Sequence, residues 1–194
     1  MEKEGVLNHF RETGALLEGH FKLSSGLHSE AYLQCARVLM DPKRAEILCK
    51  DLADQVRSRL KEPIDLVVSP AMGGVVVGYE MARQLGVPGI FTERVDGKLE
   101  LRRGFEIPKG ARVLMAEDIV TTGLSSRECI HCIKKWGGRV LMASCLIDRS
   151  NGKAEIGAEL CSLMRLDVAT YDPDNLPDRL QGIPAIKPGS RGLK

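Results

Sequence analysis

The chain of 194 residues lacks any large excess of charge: 28 Lys and Arg stand against 26 Asp and Glu, a formal net charge of +2. Non-specific binding of nucleic acid calls for a basic surplus, so this balance argues against that class. No apolar run approaches the roughly 18 residues of a membrane span. The start, MEKEGVLNHFRETG, is polar where a secretion signal is apolar, and a cytoplasmic location is the expectation. A GxxxxGK[ST] loop is missing, which turns the search away from P-loop nucleotide chemistry. So is a second CxxC. Of the six cysteines (35, 49, 129, 132, 145, 161), only Cys129 and Cys132 form such a run, CIHC. A structural zinc needs about four ligands, so the cysteines are expected to be reduced thiols in apolar positions and no protein-held metal is expected.

What the chain does have is alternation. Asp41-Pro42 followed by KRAEILCKDLADQVRSRL predicts a helix with Asp41 as N-cap and Pro42 in its first turn. IDLVVSP reads as a buried strand, GGVVVGYEMARQLG as a helix stopped by Gly86, and VPGIFTE, ARVLMAED and RVLMASCLID as further strands. SSRECIHCIKKWGG predicts a helix opened by Ser125 and Glu128 in capping-box spacing and closed by Gly137-Gly138. Cys129, Cys132, Ile133 and Trp136 share one of its faces. This order predicts an α/β fold, a mostly parallel central sheet flanked by helices, with ligands bound beyond the carboxyl ends of the strands. At this length one domain is the simplest organisation, with a core over about 41–170 and a small cap built from 1–40 and the proline-rich 171–194.

The stretch RVLMAEDIVTTGLSSRECI holds the chemistry. An apolar strand ends in adjacent acids, Glu117 and Asp118, and runs through Thr121, Thr122, Gly123 and Ser125 into a helix. Hydroxyls, backbone N–H groups and a helix N-terminus suit a phosphate. Carboxylates repel one, so the acids are expected to accept from sugar hydroxyls, and a phosphorylated ribose satisfies both halves. Taken alone, the stretch also fits an ordinary capped helix behind exposed acids. In SPAMGG, the N–H groups of Met72, Gly73 and Gly74 suit a diphosphate, or else the small residues serve only a tight strand-to-helix turn. Glu93 to Gly104 carries seven charges in twelve residues and is expected to be a loop, either a solvated excursion or a lid. Arg149 ends a predicted strand on the acids' edge, where it could grip a planar carboxylate or merely form a surface turn with Asp148. The four histidines (9, 20, 28, 131) have no nucleophile spacing and are taken as structural or surface residues, His28 alone lying near a ligand segment.

VLMAEDIVTTGLS resembles the phosphoribosyl diphosphate motif of the type I phosphoribosyltransferases. GHFKLSSGLHSEAYLQ, SPAMGGVVVGYEMA, TERVDGKLELRRGF, LIDRS and LPDRLQGIPAIKPGSR narrow the resemblance to the orotate phosphoribosyltransferase family, in family order. The resemblance implies that Met72 to Gly74, Arg94, Lys98 and the run Glu117, Asp118, Ile119, Val120, Thr121, Thr122, Gly123, Leu124, Ser125 bind phosphoribosyl diphosphate. It implies that Thr121 and Arg149 bind orotate, that Lys98 and Asp118 are catalytic, and that Ala71-Met72 is a cis peptide. Magnesium is implied as an ion carried by the diphosphate and ribose hydroxyls, and a homodimer is implied because lids in this family reach a neighbouring site. The chain departs from longer-loop members at Ser24, Val95 and Glu100, so Arg102 and Arg103 stand beside Lys98 as loop cations. The rivals are a purine phosphoribosyltransferase, which needs no base-facing Arg149, and a phosphoribosyl diphosphate-sensing regulator without chemistry. The regulator would call for a nucleic-acid surface that the charge balance does not supply.

Overall fold

The computed structural model describes residues 1–23 and 26–187. Ser24, one of the departures, and the last residues of the C-terminal match lie outside the described residues. The central sheet has the strand order β5-β4-β3-β6-β7-β8. Its members are β3 (Leu66–Pro70), β4 (Gly89–Val95), β5 (Lys98–Leu101), β6 (Arg112–Val120), β7 (Arg139–Asp148) and β8 (Leu160–Arg165). All neighbouring pairs are parallel except β4 with β5. β3 is buried throughout and β7 almost so, which is why both read as unbroken apolar runs: helices cover both faces.

Alternation along β6 divides the interior in two. Leu114 and Ala116 face a large cluster with α1 (Lys3–Glu12), α2 (Cys35–Leu39), α3 (Pro42–Arg59) and α4 (Gly74–Leu85), whereas Val113 and Met115 face a smaller one under α5 (Leu124–Lys135). α3 starts as expected, the Asp41 carboxylate accepting from Lys43 N at 3.0 Å, and α4 ends at Gly86 in the left-handed region (φ 72°). β1 (Leu16–Lys22) and β2 (His28–Leu33) form an antiparallel hairpin, to which β9 (Thr170–Tyr171) adds from the far end of the chain. Buried His20 locks this small sheet to the tail. Its Nδ1–H donates to the Ile183 carbonyl at 2.6 Å, and its Nε2 lies 2.5 Å from His28 Nδ1. All six cysteines are free and buried.

Four expectations are corrected. First, the helix after the acids begins at Leu124, so Ser125 lies inside it. Left-handed Gly123 (φ 73°) stands at the N-cap, and the capping box does not form. Glu128 instead meets Arg94, whose Nη2–H donates to it at 2.5 Å. Second, Trp136 is a half-exposed C-cap residue and leaves the buried face to Cys129, Cys132 and Ile133. Third, Glu93 to Gly104 is a β-hairpin for most of its length. Asp96 and Gly97 both take positive φ (46° and 83°), the two-residue turn that an Asp-Gly pair favours. Four of its seven charges are held in pairs: Arg94 with Glu128, Arg103 with Glu93, Glu100 with Lys135. Meanwhile Leu99 is buried in the smaller cluster. Fourth, LCSLMR, absent from the strands expected from the sequence, forms the edge strand β8.

Candidate active site

β3, β6 and β7 end side by side, and the segments leaving them carry the candidate residues. At the end of β3 the chain turns through a cis Ala71-Met72 peptide, as the resemblance implies, and enters α4 at Gly74. Met72 is exposed and Gly73 stands at the N-cap, with Val75 N donating back to the Met72 carbonyl at 3.2 Å. At the end of β6, Thr121 and Thr122 are exposed, and Gly123 is buried so tightly that a Cβ there would lie 2.6 Å from Ile156 Cγ2. Leu124 is exposed, Ser125 and Ile119 are half-buried, and Val120 is buried, its carbonyl accepting from Arg149 N at 2.8 Å. That bond sets the start of the β7 exit beside the motif.

The two acids do not share one spot in the way the sequence suggested. A strand sends neighbouring side chains to opposite faces. Glu117 turns toward α5, where it accepts from the Ser126 hydroxyl, and it is only 8% exposed. Asp118 turns toward the start of α4, its carboxylate lying where a side chain on Gly73 would be: a Cβ there would come within 2.9 Å of Oδ1 and 3.0 Å of Oδ2. Burial raises both carboxyls above the usual range. Glu117 is pushed up to about 7, the Ser126 bond opposing the rise and Asp118 adding to it; for Asp118, bonds from backbone amides oppose burial.

A testable consequence follows from Glu117. Its native pKa of about 7 lies above its usual 4.5, so the folded state holds that proton longer. The resulting stability is complete below the unfolded value and is lost as pH rises through about 7. A shift of this size is worth on the order of 3 kcal/mol at alkaline pH. Gln cannot ionise yet still accepts from Ser126. Glu117→Gln is therefore expected to melt roughly 5 to 10 °C above the parent at pH 8 and level with it at pH 4. Paired thermal melts check this, and equal melting at pH 8 would contradict it.

Arg149 is half-buried at the exit of β7. Burial draws its guanidinium below the usual range, with Cys35 and Tyr32 near enough to act against that shift. Asp148 does not neutralise it. That carboxylate accepts from Ser150 N at 2.8 Å and Gly152 N at 3.1 Å and lies 3.6 Å from Arg165, so it shapes the turn behind Arg149. Among the described residues no carboxylate pairs with the Arg149 side chain. The hairpin tip at Asp96-Gly97 rises beyond the same carboxyl edge, because β4 runs parallel to β3. Lys98 is exposed there and borders a cleft of about 470 Å³ against Arg127, His131 and Lys135 of α5. Arg94, by contrast, is held by Glu128 and the Gly97 carbonyl. No group of three His, Cys, Asp or Glu able to hold a metal occurs among the described residues.

Three further residues take part: Ser126, Tyr32 and Cys35. Ser126 was readable in principle, since helical period places it on the buried stripe with Cys129, Ile130 and Ile133. The approach of Tyr32 and Cys35 to Arg149 joins positions more than a hundred residues apart, and no local signal encodes it.

A phosphoribosyl transferase domain model matches residues 39–164. The orotate phosphoribosyltransferase of Parvibaculum lavamentivorans is 56% identical over 193 residues, covering 100% of both chains, and that of Maricaulis maris is 55% identical over the same span. Among solved structures, orotate phosphoribosyltransferase from Aeropyrum pernix superposes with a TM-score of 0.66 at 27% identity, over 83% of this chain and 93% of its own. The Mycobacterium tuberculosis enzyme in complex with 5-phospho-alpha-D-ribosyl 1-diphosphate gives 0.64 at 23% identity, over 83% and 95%. With full-length identity above one half and the motif standing at the strand ends, the chain belongs to the orotate phosphoribosyltransferase family.

Proposed function

We propose that the chain joins orotate to the phosphoribosyl group of 5-phosphoribosyl 1-diphosphate, giving orotidine 5'-monophosphate and diphosphate for pyrimidine nucleotide synthesis. The observation that carries the base assignment is Arg149, a half-buried cation without a carboxylate partner among the described residues, at the edge where the sugar-phosphate motif ends. Orotate brings a planar carboxylate that a guanidinium can hold by two hydrogen bonds, whereas purines bring none.

In this scheme Thr121 to Ser125 and the first amides of α5 hold the 5'-phosphate, with Thr121 also within the base site. Glu117 and Asp118 accept from ribose hydroxyls. The amides of Met72 to Gly74, with Arg94 and Lys98 from the hairpin, neutralise the departing diphosphate. The base nitrogen of the orotate anion forms the new bond at the anomeric carbon as the bond to diphosphate breaks, through a transition state with oxocarbenium character. Positioning and leaving-group neutralisation then supply the catalysis, and no covalent intermediate is needed. Arg94 must leave Glu128 to take part. Magnesium would be borne by the substrate, its oxygen ligands coming from diphosphate and ribose, where it offsets leaving-group charge. A cytoplasmic homodimer is the assembly we infer from the family. The six free thiols suit a reducing compartment, and no helix among the described residues is long and apolar enough to cross a membrane.

A base screen with phosphoribosyl diphosphate and magnesium tests the reading. Orotate absorbance is expected to fall while adenine and hypoxanthine remain. Consumption of a purine with orotate untouched would replace Arg149's assignment with the purine alternative.

A further inference from the structure

One buried hydroxyl at the sugar end has no part in this scheme. Ser126 is fully buried on the inner stripe of α5, among Cys129, Ile130 and Ile133. An unbonded hydroxyl in such surroundings is costly, and a helical serine ordinarily bonds back to the carbonyl four residues earlier. That carbonyl, Thr122 O, is occupied by Arg127 Nη1 at 2.9 Å. The Ser126 hydroxyl instead donates to Glu117 Oε2. Oε1 of the same carboxylate has no partner among the described residues, and since no buried side-chain oxygen among them lacks one, Oε1 opens to solvent at the end of β6. One carboxylate oxygen is anchored and the other is presented.

We propose that Ser126 is a positioning residue for the transfer reaction: its hydroxyl pins Glu117 by Oε2 so that Oε1 faces the ribose. The inference rests on the reading of Glu117 as a ribose acceptor. The bond has a second effect, because a donor to the ionised carboxylate favours the charged form, and here it opposes the burial that raises Glu117. The hydroxyl therefore governs both the direction of Glu117 and the pH below which it stops acting as an acceptor.

The test uses four full-length proteins: the parent, Ser126→Ala, Glu117→Gln and the double variant. Steady-state constants are measured for both substrates from pH 5.5 to 8.5. Ser126→Ala is expected to lower kcat/KM for phosphoribosyl diphosphate about tenfold at neutral pH. Its acid limb should move to higher pH, while KM for orotate stays near the parent value. In the Glu117→Gln background the same change should add no further loss, because the two side chains act as one unit. An acid limb that stays in place in Ser126→Ala, or an equal loss in both backgrounds, overturns the positioning role and leaves Ser126 as packing. Parent-like kinetics in Glu117→Gln alone would instead remove Glu117 from the ribose site, which is a failure of the underlying reading.

Discussion

Arg149→Ala is expected to raise KM for orotate about 10- to 100-fold while KM for phosphoribosyl diphosphate moves less than about twofold. The size follows from the environment. A hydrogen bond to a charged group in a half-buried site is worth about 1.5 to 3 kcal/mol, and Arg149 has no carboxylate partner among the described residues to fall back on. Its backbone bond to Val120 survives the substitution, so the exit of β7 keeps its shape. Arg149→Lys should recover only part of the loss, since an ammonium offers a point charge where a planar carboxylate needs a fork. Steady-state kinetics with each substrate varied in turn decide the matter. Equal changes in both constants would take Arg149 out of the base site.

Gly73→Ala should have a comparably large effect from a single methyl group. Backbone strain is not the cause, because Gly73 has an ordinary helical conformation (φ −59°, ψ −39°) and is exposed, so Ala is tolerated there as far as folding is concerned. The new Cβ, however, would arrive 2.9 Å from Asp118 Oδ1, too close for a carbon against an oxygen. A carboxylate can rotate away from a methyl group, but Asp118 would then leave the direction from which, under the proposed function, it meets the sugar. The expected result is a fall in kcat/KM of at least about a hundredfold, with a melting temperature within about 1 °C of the parent. Adding Asp118→Asn should cost little more, because the methyl has already displaced that side chain. Gly73→Ala with full activity would show that Asp118 works from another position; Gly73→Ala that fails to fold would show that the turn, and not the acid, demands glycine.

Much of this architecture was legible because it is written locally. Helix α3 announces itself by Asp41-Pro42 and an apolar stripe, β3 and β7 by unbroken buried runs, and the turn into α5 by a strand that breaks into Thr, Gly and a helix start. Errors arose where one local signal hid another. Seven charges between Glu93 and Gly104 suggested a solvated loop, although Asp96-Gly97 is a hairpin turn and Leu99 is a core residue. Adjacent acids suggested side chains delivered to one spot, although strand alternation already sends Glu117 and Asp118 to opposite faces of β6. What spacing does not reach is pairing at a distance: Glu128 with Arg94, or Tyr32 and Cys35 with Arg149, depends on how the layers close over one another.

The parting of Glu117 and Asp118 makes β6 a common wall between the two core clusters. A change in the core beneath α5 is felt at Glu117, and one beneath α3 and α4 at Asp118 and Gly73. Under the proposed function, a single ribose spans that wall and ties the compartments together like a rivet through two plates. Its seat is only as true as the alignment of both, so drift in sequence on one side must be answered on the other even where no residue of the two sides touches.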